Sequence, residues 1–196
     1  MSNQTPYEIV NGPLEVYVGP VEESMPAVTL EPPGGNWVLL GTLGDDEYSE
    51  DGVRIMHTET IEEFRSLGNT APVKAFRTEE SLVIGFSLMD LTLEEYSNVM
   101  NFNTITTATD DKTMPIYKGG DVLYKALLVR GNDKSPYGTS YNIQWEIPRV
   151  RASGDQELIF VKGQPVGLAV EFTGMSDLSA ASDSLRFGII RTQFQN

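Results

Sequence analysis

Two long segments that alternate between apolar and polar residues follow one another in this sequence, and they restrict the fold more than any other feature. The first spans residues 53–67 and the second residues 73–91, with the turn-forming sequence GNTAPV between them. Since an average strand has about five or six residues, two long neighbours predict an extended antiparallel hairpin. One face of its second strand is apolar and is expected to meet the core: Leu82, Ile84, Phe86 and Leu88.

The first strand of this hairpin has no face that is apolar throughout. Val53, Ile55 and Ile61 have one parity, whereas Met56 and Phe64 have the other. A β-bulge near His57 would exchange the two faces partway along the strand.

The rest of the chain is dominated by shorter strand patterns. They cover residues 14–21, 37–40, 121–131, 140–150, 157–163, 165–174 and 184–194. One helix is predicted at 92–101, where Thr92 and Glu95 have capping-box spacing. The sequence therefore predicts a mainly β fold, an antiparallel β-sandwich or barrel with one flanking α-helix. Further expected core residues are Trp37, Tyr96, Trp145, Ile147, Val170 and Phe172.

The ends of the chain differ in pattern from its centre. Residues 1–13 are polar and are interrupted by proline and glycine, which indicates an N-terminal arm. Residues 14–174 form the predicted β domain. Residues 175–196 are expected to be a terminal strand or an arm onto a neighbouring molecule. The first residues also lack the basic start and apolar run of a signal peptide.

Negative charge is concentrated in the first part of the sequence. The net charge is −14, and residues 1–53 contain ten acidic residues and no lysine or arginine. Adhesion to nucleic acid is not expected, because phosphate binding requires lysine and arginine. There is no cysteine, so disulfides and thiolate chemistry are excluded. No apolar run is long enough to span a bilayer.

The sequence contains no motif that indicates catalysis. His57 is the only histidine, and no G-x-S-x-G motif accompanies it. The loop sequence DDEYSEDG lacks the ligand spacing of an EF-hand. The hairpin glutamates Glu59, Glu62, Glu63, Glu79 and Glu80 are better explained as a charged strand face than as a glycosidase pair. We therefore expect no catalytic residue, no cofactor and no metal ligand.

The order of motifs in residues 36–101 resembles that of the tail tube (major tail) proteins of tailed bacteriophages. The similar features are a Trp followed by LLG, the entry DGV to a long strand, a Pro-Val strand with a TEES turn, and DLTLEEY at the start of a helix. The resemblance implies a β-sandwich subunit that forms hexameric rings, which stack into a tube. The long hairpin and the terminal arms are then expected to contact adjacent rings.

The resemblance also implies partners and a location. The expected partners are further copies of the chain, a tape-measure protein, a tail terminator, and baseplate or tip proteins. DNA is expected to pass through the lumen without adhering, and no membrane binding is expected. Assembly would take place in the cytoplasm of the host bacterium, and the product would be part of the virion.

Two sets of carboxylates are candidates for roles in such a tube. The candidates for the lumen wall are Glu59, Glu63, Glu79 and Glu80. The loop at 44–52 either faces the lumen or docks on basic residues of the next ring, through Asp45, Asp46, Glu47, Glu50 and Asp51. Deletion of residues 44–51 is expected to leave the monomer folded and to block stacking.

Other classes of protein fit the same strand pattern. A carbohydrate-binding or adhesin β-sandwich is one alternative, since Trp37 and Trp145 are able to stack on sugars. A metal- or acid-dependent hydrolase is a weaker alternative. A tube subunit of a secretion system or a bacteriocin-like particle is a related structural one.

Overall fold

The computed structural model describes residues 10–21, 23–153, 155 and 157–194. Most of the predicted N-terminal arm and the last two residues lie outside this part of the chain. The strands are β1 (Glu15–Pro20), β2 (Val38–Leu39), β3 (Arg54–Phe64), β4 (Lys74–Leu88), β5 (Thr106–Thr107), β6 (Lys112–Thr113), β7 (Lys125–Gly131), β8 (Ile143–Ser153), β9 (Leu168–Gly174) and β10 (Ile189–Thr192), and the α-helix is α1 (Leu93–Val99).

One eight-stranded antiparallel sheet forms the body of the described chain. Its order is β2-β1-β7-β8-β9-β4-β3, and β10 pairs with β8 as well; β5 and β6 form a separate small hairpin. β8 pairs with β10 at residues 143–146 and with β9 at residues 150–153. The mainly β fold with antiparallel pairing and one α-helix is confirmed.

The sheet curls around its core. Buried side chains from β1, β7 and β8 meet those from β4 and β9 in a single cluster. It contains Ile84, Phe86, Leu88, Ile147, Val170 and Phe172, while Leu82, Tyr96 and Trp145 are partly buried against it. The alternation of β4 places Leu82, Ile84, Phe86 and Leu88 on the inner face, because successive side chains of a strand point to opposite sides.

Tyr48 joins the two margins of the curled sheet. Its hydroxyl accepts a hydrogen bond from the backbone N–H of Val16 at 3.1 Å and donates one to the carbonyl of Leu40 at 2.9 Å. Its backbone forms a bridge with Leu88 at the end of β4. The Tyr48 ring also lies 4.8 Å from the ring of Phe86, centroid to centroid. The β1–β2 margin is therefore connected to β4.

The helix α1 begins as its sequence predicts. Thr92 is the N-cap, and its hydroxyl accepts a hydrogen bond from the N–H of Glu95. The reciprocal half of the capping box does not form, because the Thr92 N–H donates to Asp90 instead. Glu95 is buried, and its carboxylate takes hydrogen bonds from the Gly41 backbone and from Asn98. The helix is also shorter than the predicted 92–101.

A second apolar cluster lies on the outer side of β1 and β7. Trp37 packs there with Tyr17, Ala126 and Leu128. The approach is close, since a Cβ atom added at Gly19 would lie 3.1 Å from the Trp37 ring. Trp37 is thus buried, as its sequence pattern predicts, but in a cluster separate from the main core.

Segment 157–163 does not form the strand that its sequence predicts. Its residues are unpaired, and a turn closes at its end, where the Gln164 N–H donates to the carbonyl of Val161. Ile159, Phe160 and Val161 are 62%, 75% and 49% exposed. A strand requires a neighbour for its backbone hydrogen bonds, and the described fold supplies none at this position.

Candidate functional site

The hairpin of β3 and β4 projects from the sheet as an arm. The antiparallel pairing begins at Arg54–Gly85 and continues to Phe64–Lys74. Beyond His57 and Leu82, nearly every side chain of the hairpin is exposed. The eight residues from His57 to Phe64 give this free part a length of roughly 26 Å at about 3.3 Å per residue. Residues 57–81 are called the arm below.

A β-bulge lies in the arm, although not at His57. The register shifts between Thr60 and Ile61, because Thr60 pairs with Glu79 while Ile61 pairs with Arg77. Thr78 is the extra residue, and its hydroxyl donates to the carbonyl of Thr60 at 3.2 Å. The extra residue belongs to β4, so the exchange of faces occurs in β4 at Thr78, whereas β3 keeps its alternation from Arg54 to Phe64. The predicted exchange of faces in β3 near His57 is therefore wrong.

One face of the arm is held by two arginine–glutamate ion pairs and by a contact between His57 and Glu80. His57 Nε2 lies 2.8 Å from a Glu80 carboxylate oxygen, and the Arg77 guanidinium donates to Glu59 at 2.6 Å. Arg65 forms the other arginine pair, with Glu63 at 3.3 Å. These pairs are exposed, so each contributes at most about 1 kcal/mol to stability. Their main effect is to orient the side chains.

The proposed lumen carboxylates do not share one face. Glu59, Glu63 and Glu80 belong to the ion-paired face, as their registers and partners indicate. Glu79 lies on the opposite face, where it accepts a hydrogen bond from the Thr60 hydroxyl at 3.4 Å. Phe76 is also on that side, beneath the Lys74 ammonium at 4.8 Å.

The tip of the arm combines basic and apolar side chains. Arg65 and Lys74 flank it, and no acidic residue occurs between Glu63 and Glu79. Four exposed apolar side chains accompany them: Phe64 (57%), Leu67 (110%), Val73 (51%) and Phe76 (49%). A cluster of exposed large apolar residues is typical of an interaction surface.

The acidic loop lies at the opposite end of β4. Gly44–Glu47 forms one turn of 3-10 helix. The Ser49 N–H donates to the Ser87 carbonyl, and the Met89 N–H donates to the Glu47 carbonyl. The loop is thus fixed beside the last residues of β4, with Asp46, Glu50 and Asp51 exposed. Asp45 and Glu47 are half-buried, and Glu47 accepts a hydrogen bond from the Leu43 N–H at 2.8 Å.

The sequence did not indicate a polar row hidden on the outer side of β7, β8 and β10. Register places Arg130 beside Gln144, and Gln144 beside Arg191. Residues 23–37, called the strap below, cover this row. The Val28 carbonyl accepts from Arg130, and the Pro26 carbonyl accepts from Gln144, at 2.8 and 2.9 Å. Alternation alone would place these side chains in solvent.

No constellation typical of an enzyme or a metal centre appears among the described residues. They contain no group of three or more histidine or carboxylate side chains placed to hold a metal ion. In the same part of the chain, no helix is long and apolar enough to cross a membrane. The features that stand out are therefore surfaces: the basic, apolar tip, the acidic loop and the exposed segment 157–163.

Comparisons with protein-family models and with curated proteins found no match for this chain.

Proposed function

We propose that this protein is the subunit of a self-assembling tube of the bacteriophage tail-tube type, built from stacked hexameric rings. One observation carries the proposal. β4 joins two complementary surfaces, the basic and apolar tip at one end and the acidic loop at the other.

Complementary surfaces at opposite ends favour head-to-tail association. A contact between unlike surfaces leaves each subunit with one of each still free, so that association continues into an open assembly. In this arrangement the tip of one subunit packs beside the acidic loop of the next. Arg65 and Lys74 then lie near Asp46, Glu50 and Asp51, and the apolar side chains of the tip are removed from water.

The edges of the sheet support lateral association as well. Between Lys74 and Leu82, β4 has a strand partner on one side only in the described chain. The outer edge of β10, on the side away from β8, also has no partner strand there. Exposed strand edges invite pairing with other chains. A closed ring of subunits would cover such edges.

The charge of the chain is consistent with a conduit for DNA. A net charge of −14 opposes phosphate adhesion to any surface that the assembly leaves open. Glu59, Glu63, Glu79 and Glu80 remain our candidates for the lumen wall, from either face of the arm. No catalytic role, cofactor or metal is part of this proposal. A tape-measure protein, a terminator and tip proteins are the proposed partners, and the virion is the proposed location.

The carbohydrate-binding alternative receives less support from the aromatic side chains. Trp37 is 8% exposed and packs against Tyr17, Ala126 and Leu128, so its ring is not available to a sugar. Trp145 is partly buried against the main core. A tube subunit of a secretion system or a bacteriocin-like particle shares the assembly argument and differs only in what the tube conducts.

Negative-stain electron microscopy of the concentrated protein, combined with sedimentation velocity, tests the proposal. We expect rings or tubes with a central hole. A protein that stays monomeric at every concentration, and that binds glycans in a screen, would instead favour the carbohydrate-binding module.

A further inference from the structure

Segment 157–163 has the composition of a strand without the structure of one. Leu158, Ile159, Phe160 and Val161 are β-branched, aromatic or aliphatic residues of the kind enriched in sheets. Leu158 is half-buried and packs against the main core, so the segment is attached to the body of the protein. Its next three side chains are exposed. Local preference and observed conformation therefore disagree.

The arm offers a strand edge without a neighbour. β3 pairs with one side of β4 from Lys74 onward, whereas β9 pairs with the other side only from Val83. Between Lys74 and Leu82, that second side forms no backbone hydrogen bond in the described chain. Its N–H and C=O groups are directed away from β3, where an added strand would receive them.

The segment and the edge lie at opposite ends of one subunit. Segment 157–163 leads into β9, whose first residue, Leu168, pairs with Leu88. Thr78, near the middle of the free edge, is ten residues from Leu88 along β4, or roughly 33 Å at about 3.3 Å per residue. With Leu158 packed against the core, the segment cannot pair with the edge of its own chain.

We propose that segment 157–163 becomes a β-strand by adding to the free edge of β4, residues 74–82, in a second copy of this chain. The proposal rests on the head-to-tail association proposed above, because that arrangement brings the loop end of one subunit to the arm of the next. Strand addition of this kind supplies main-chain hydrogen bonds, and the alternating side chains fix the register.

The flanking charges favour one direction of pairing. If the strands run parallel with Ile159 beside Phe76, Glu157 faces Lys74. An antiparallel arrangement with the same Ile159–Phe76 contact would place Glu157 beside Thr78, so Lys74 would face no acidic residue. Because opposite charges directly opposite each other stabilise a strand pair, the proposed pairing is parallel. Ile159 and Phe76, both exposed in the isolated chain, then cover each other.

Disulfide cross-linking tests the pairing directly, because the natural chain contains no cysteine. Two single variants, Ile159→Cys and Phe76→Cys, are mixed under assembly conditions and oxidised, with an affinity tag on one of them. A disulfide between them can only join two chains. The control mixture replaces Phe76→Cys by Glu62→Cys, since Glu62 is the β3 partner of Phe76 and lies one strand further from the proposed neighbour.

We expect a mixed covalent dimer with Phe76→Cys and little or none with Glu62→Cys. Sedimentation of the same samples separates the possible failures. Assembly without the Phe76 cross-link, or with equal cross-linking to both positions, overturns strand addition while leaving the tube proposal intact. Failure of the wild-type chain to assemble at all overturns both.

Charge reversal provides a second test that needs no disulfide geometry. Glu157→Lys and Lys74→Glu should each lower the sedimenting fraction, and the double variant should restore it. Both side chains are exposed, so the monomer is expected to fold in every case. A double variant that assembles no better than either single variant would contradict the parallel register.

Discussion

Arg191 on β10 forms a two-pronged ion pair with Glu146 on β8, although Glu146 is almost fully buried. The guanidinium donates to the two carboxylate oxygens at 2.6 and 3.2 Å, and Glu146 also receives the Gln144 amide at 2.6 Å. The carboxylate side chain is 3% exposed, while that of Arg191 is 50% exposed. The pair raises the pKa of Arg191 through its hydrogen bond to Glu146. An ion pair therefore holds β10 to the sheet in addition to its strand pairing with β8.

Replacing Arg191 by alanine should destabilise the monomer by about 2 kcal/mol. The change leaves a buried carboxylate with a single hydrogen-bond donor, and the solvent access of Arg191 keeps the cost below that of a fully buried pair. Urea unfolding measures it. The control is Lys112→Ala, since the Lys112–Glu94 pair is exposed on both sides and its loss should cost much less. Equal losses for the two variants would contradict the structural role of Glu146.

Tyr48→Phe isolates the hydroxyl that joins the sheet margins. The Val16 N–H would lose its acceptor and the Leu40 carbonyl would lose its donor, and both residues are fully buried. Unsatisfied buried groups of this kind cost about 1–3 kcal/mol, while the packing against Phe86 is retained. Chemical denaturation should therefore show a lower midpoint without a change in slope. An unchanged midpoint would mean that water replaces the hydroxyl.

Glu95 should make the stability of the protein depend on pH. Burial raises the pKa of this carboxyl above its ordinary 4.5, despite hydrogen bonds from Gly41 and Asn98. The folded state therefore binds the proton more tightly than the unfolded state does. This contribution is fully present below pH 4.5 and is lost as the pH rises through the higher folded pKa. Relative to Glu95→Gln, the wild-type protein should gain stability as the pH falls from 7.

Glu94, the neighbouring residue on α1, provides a control of opposite sign. A hydrogen bond from Lys112 lowers the pKa of the Glu94 carboxyl below 4.5. Relative to Glu94→Gln, the wild-type protein should lose stability as the pH falls through that lowered pKa. Thermal unfolding across pH 3–8, expressed as differences between each variant and the wild type, measures both effects. If the stability difference from the wild type changed with pH in the same direction for both variants, the environments assigned to Glu94 and Glu95 would be wrong.

The sequence predicts those elements whose patterns depend on local preference and on a single buried face. The hairpin of β3 and β4, the inner face of β4 and the N-cap at Thr92 follow from alternation and capping. Sequence parity does not reveal which outer faces are covered later by a loop. Arg130 and Gln144 would be placed in solvent by alternation, yet both are buried and donate hydrogen bonds to the strap. Glu146 is buried beside them, where its carboxylate accepts from Gln144 and Arg191.

Two other differences between the prediction and the structure arise from strand pairing rather than from composition. Segment 157–163 has a clear strand composition, but a strand forms only where a neighbouring edge is available. The position of the bulge depends on where β4 accommodates Thr78, which only the pairing with β3 determines. The two surfaces of the proposed assembly were partly predictable. The acidic loop is evident in the sequence, whereas the basic tip becomes a surface only when the hairpin projects.

Neutralising the exposed acids of the loop should weaken assembly without unfolding the monomer. The change is Asp46→Asn, Glu50→Gln and Asp51→Asn, which keeps Glu47 on the Leu43 N–H and leaves Tyr48 in place. Deleting residues 44–51 would instead remove the Tyr48 bridge, so we expect the deletion to destabilise the monomer. The sedimenting fraction should fall and should depend less on salt, because fewer charges cross the interface.

A matched change elsewhere on the surface is the control for that loop variant. Asp110→Asn, Asp111→Asn and Asp121→Asn alter the net charge by the same amount at exposed positions away from the loop. Reduced general repulsion should leave assembly of this control unchanged or slightly stronger. If the control loses assembly as the loop variant does, the acidic loop has no specific role in docking.

The tip of the arm should be required for assembly and dispensable for folding. Phe64→Ser with Leu67→Ser removes two apolar side chains that are 57% and 110% exposed, so the melting temperature of the monomer should change little. In the proposed assembly the same side chains are buried against the next subunit, where each contributes about 1.5–3 kcal/mol when fully covered. Because that loss recurs at every contact along a tube, electron microscopy should show no tubes.

The control is Ile116→Ser with Leu178→Ser, two apolar side chains that are 75% and 76% exposed and lie outside the arm. Tubes formed by the arm variant at wild-type concentration would exclude the tip from the interface.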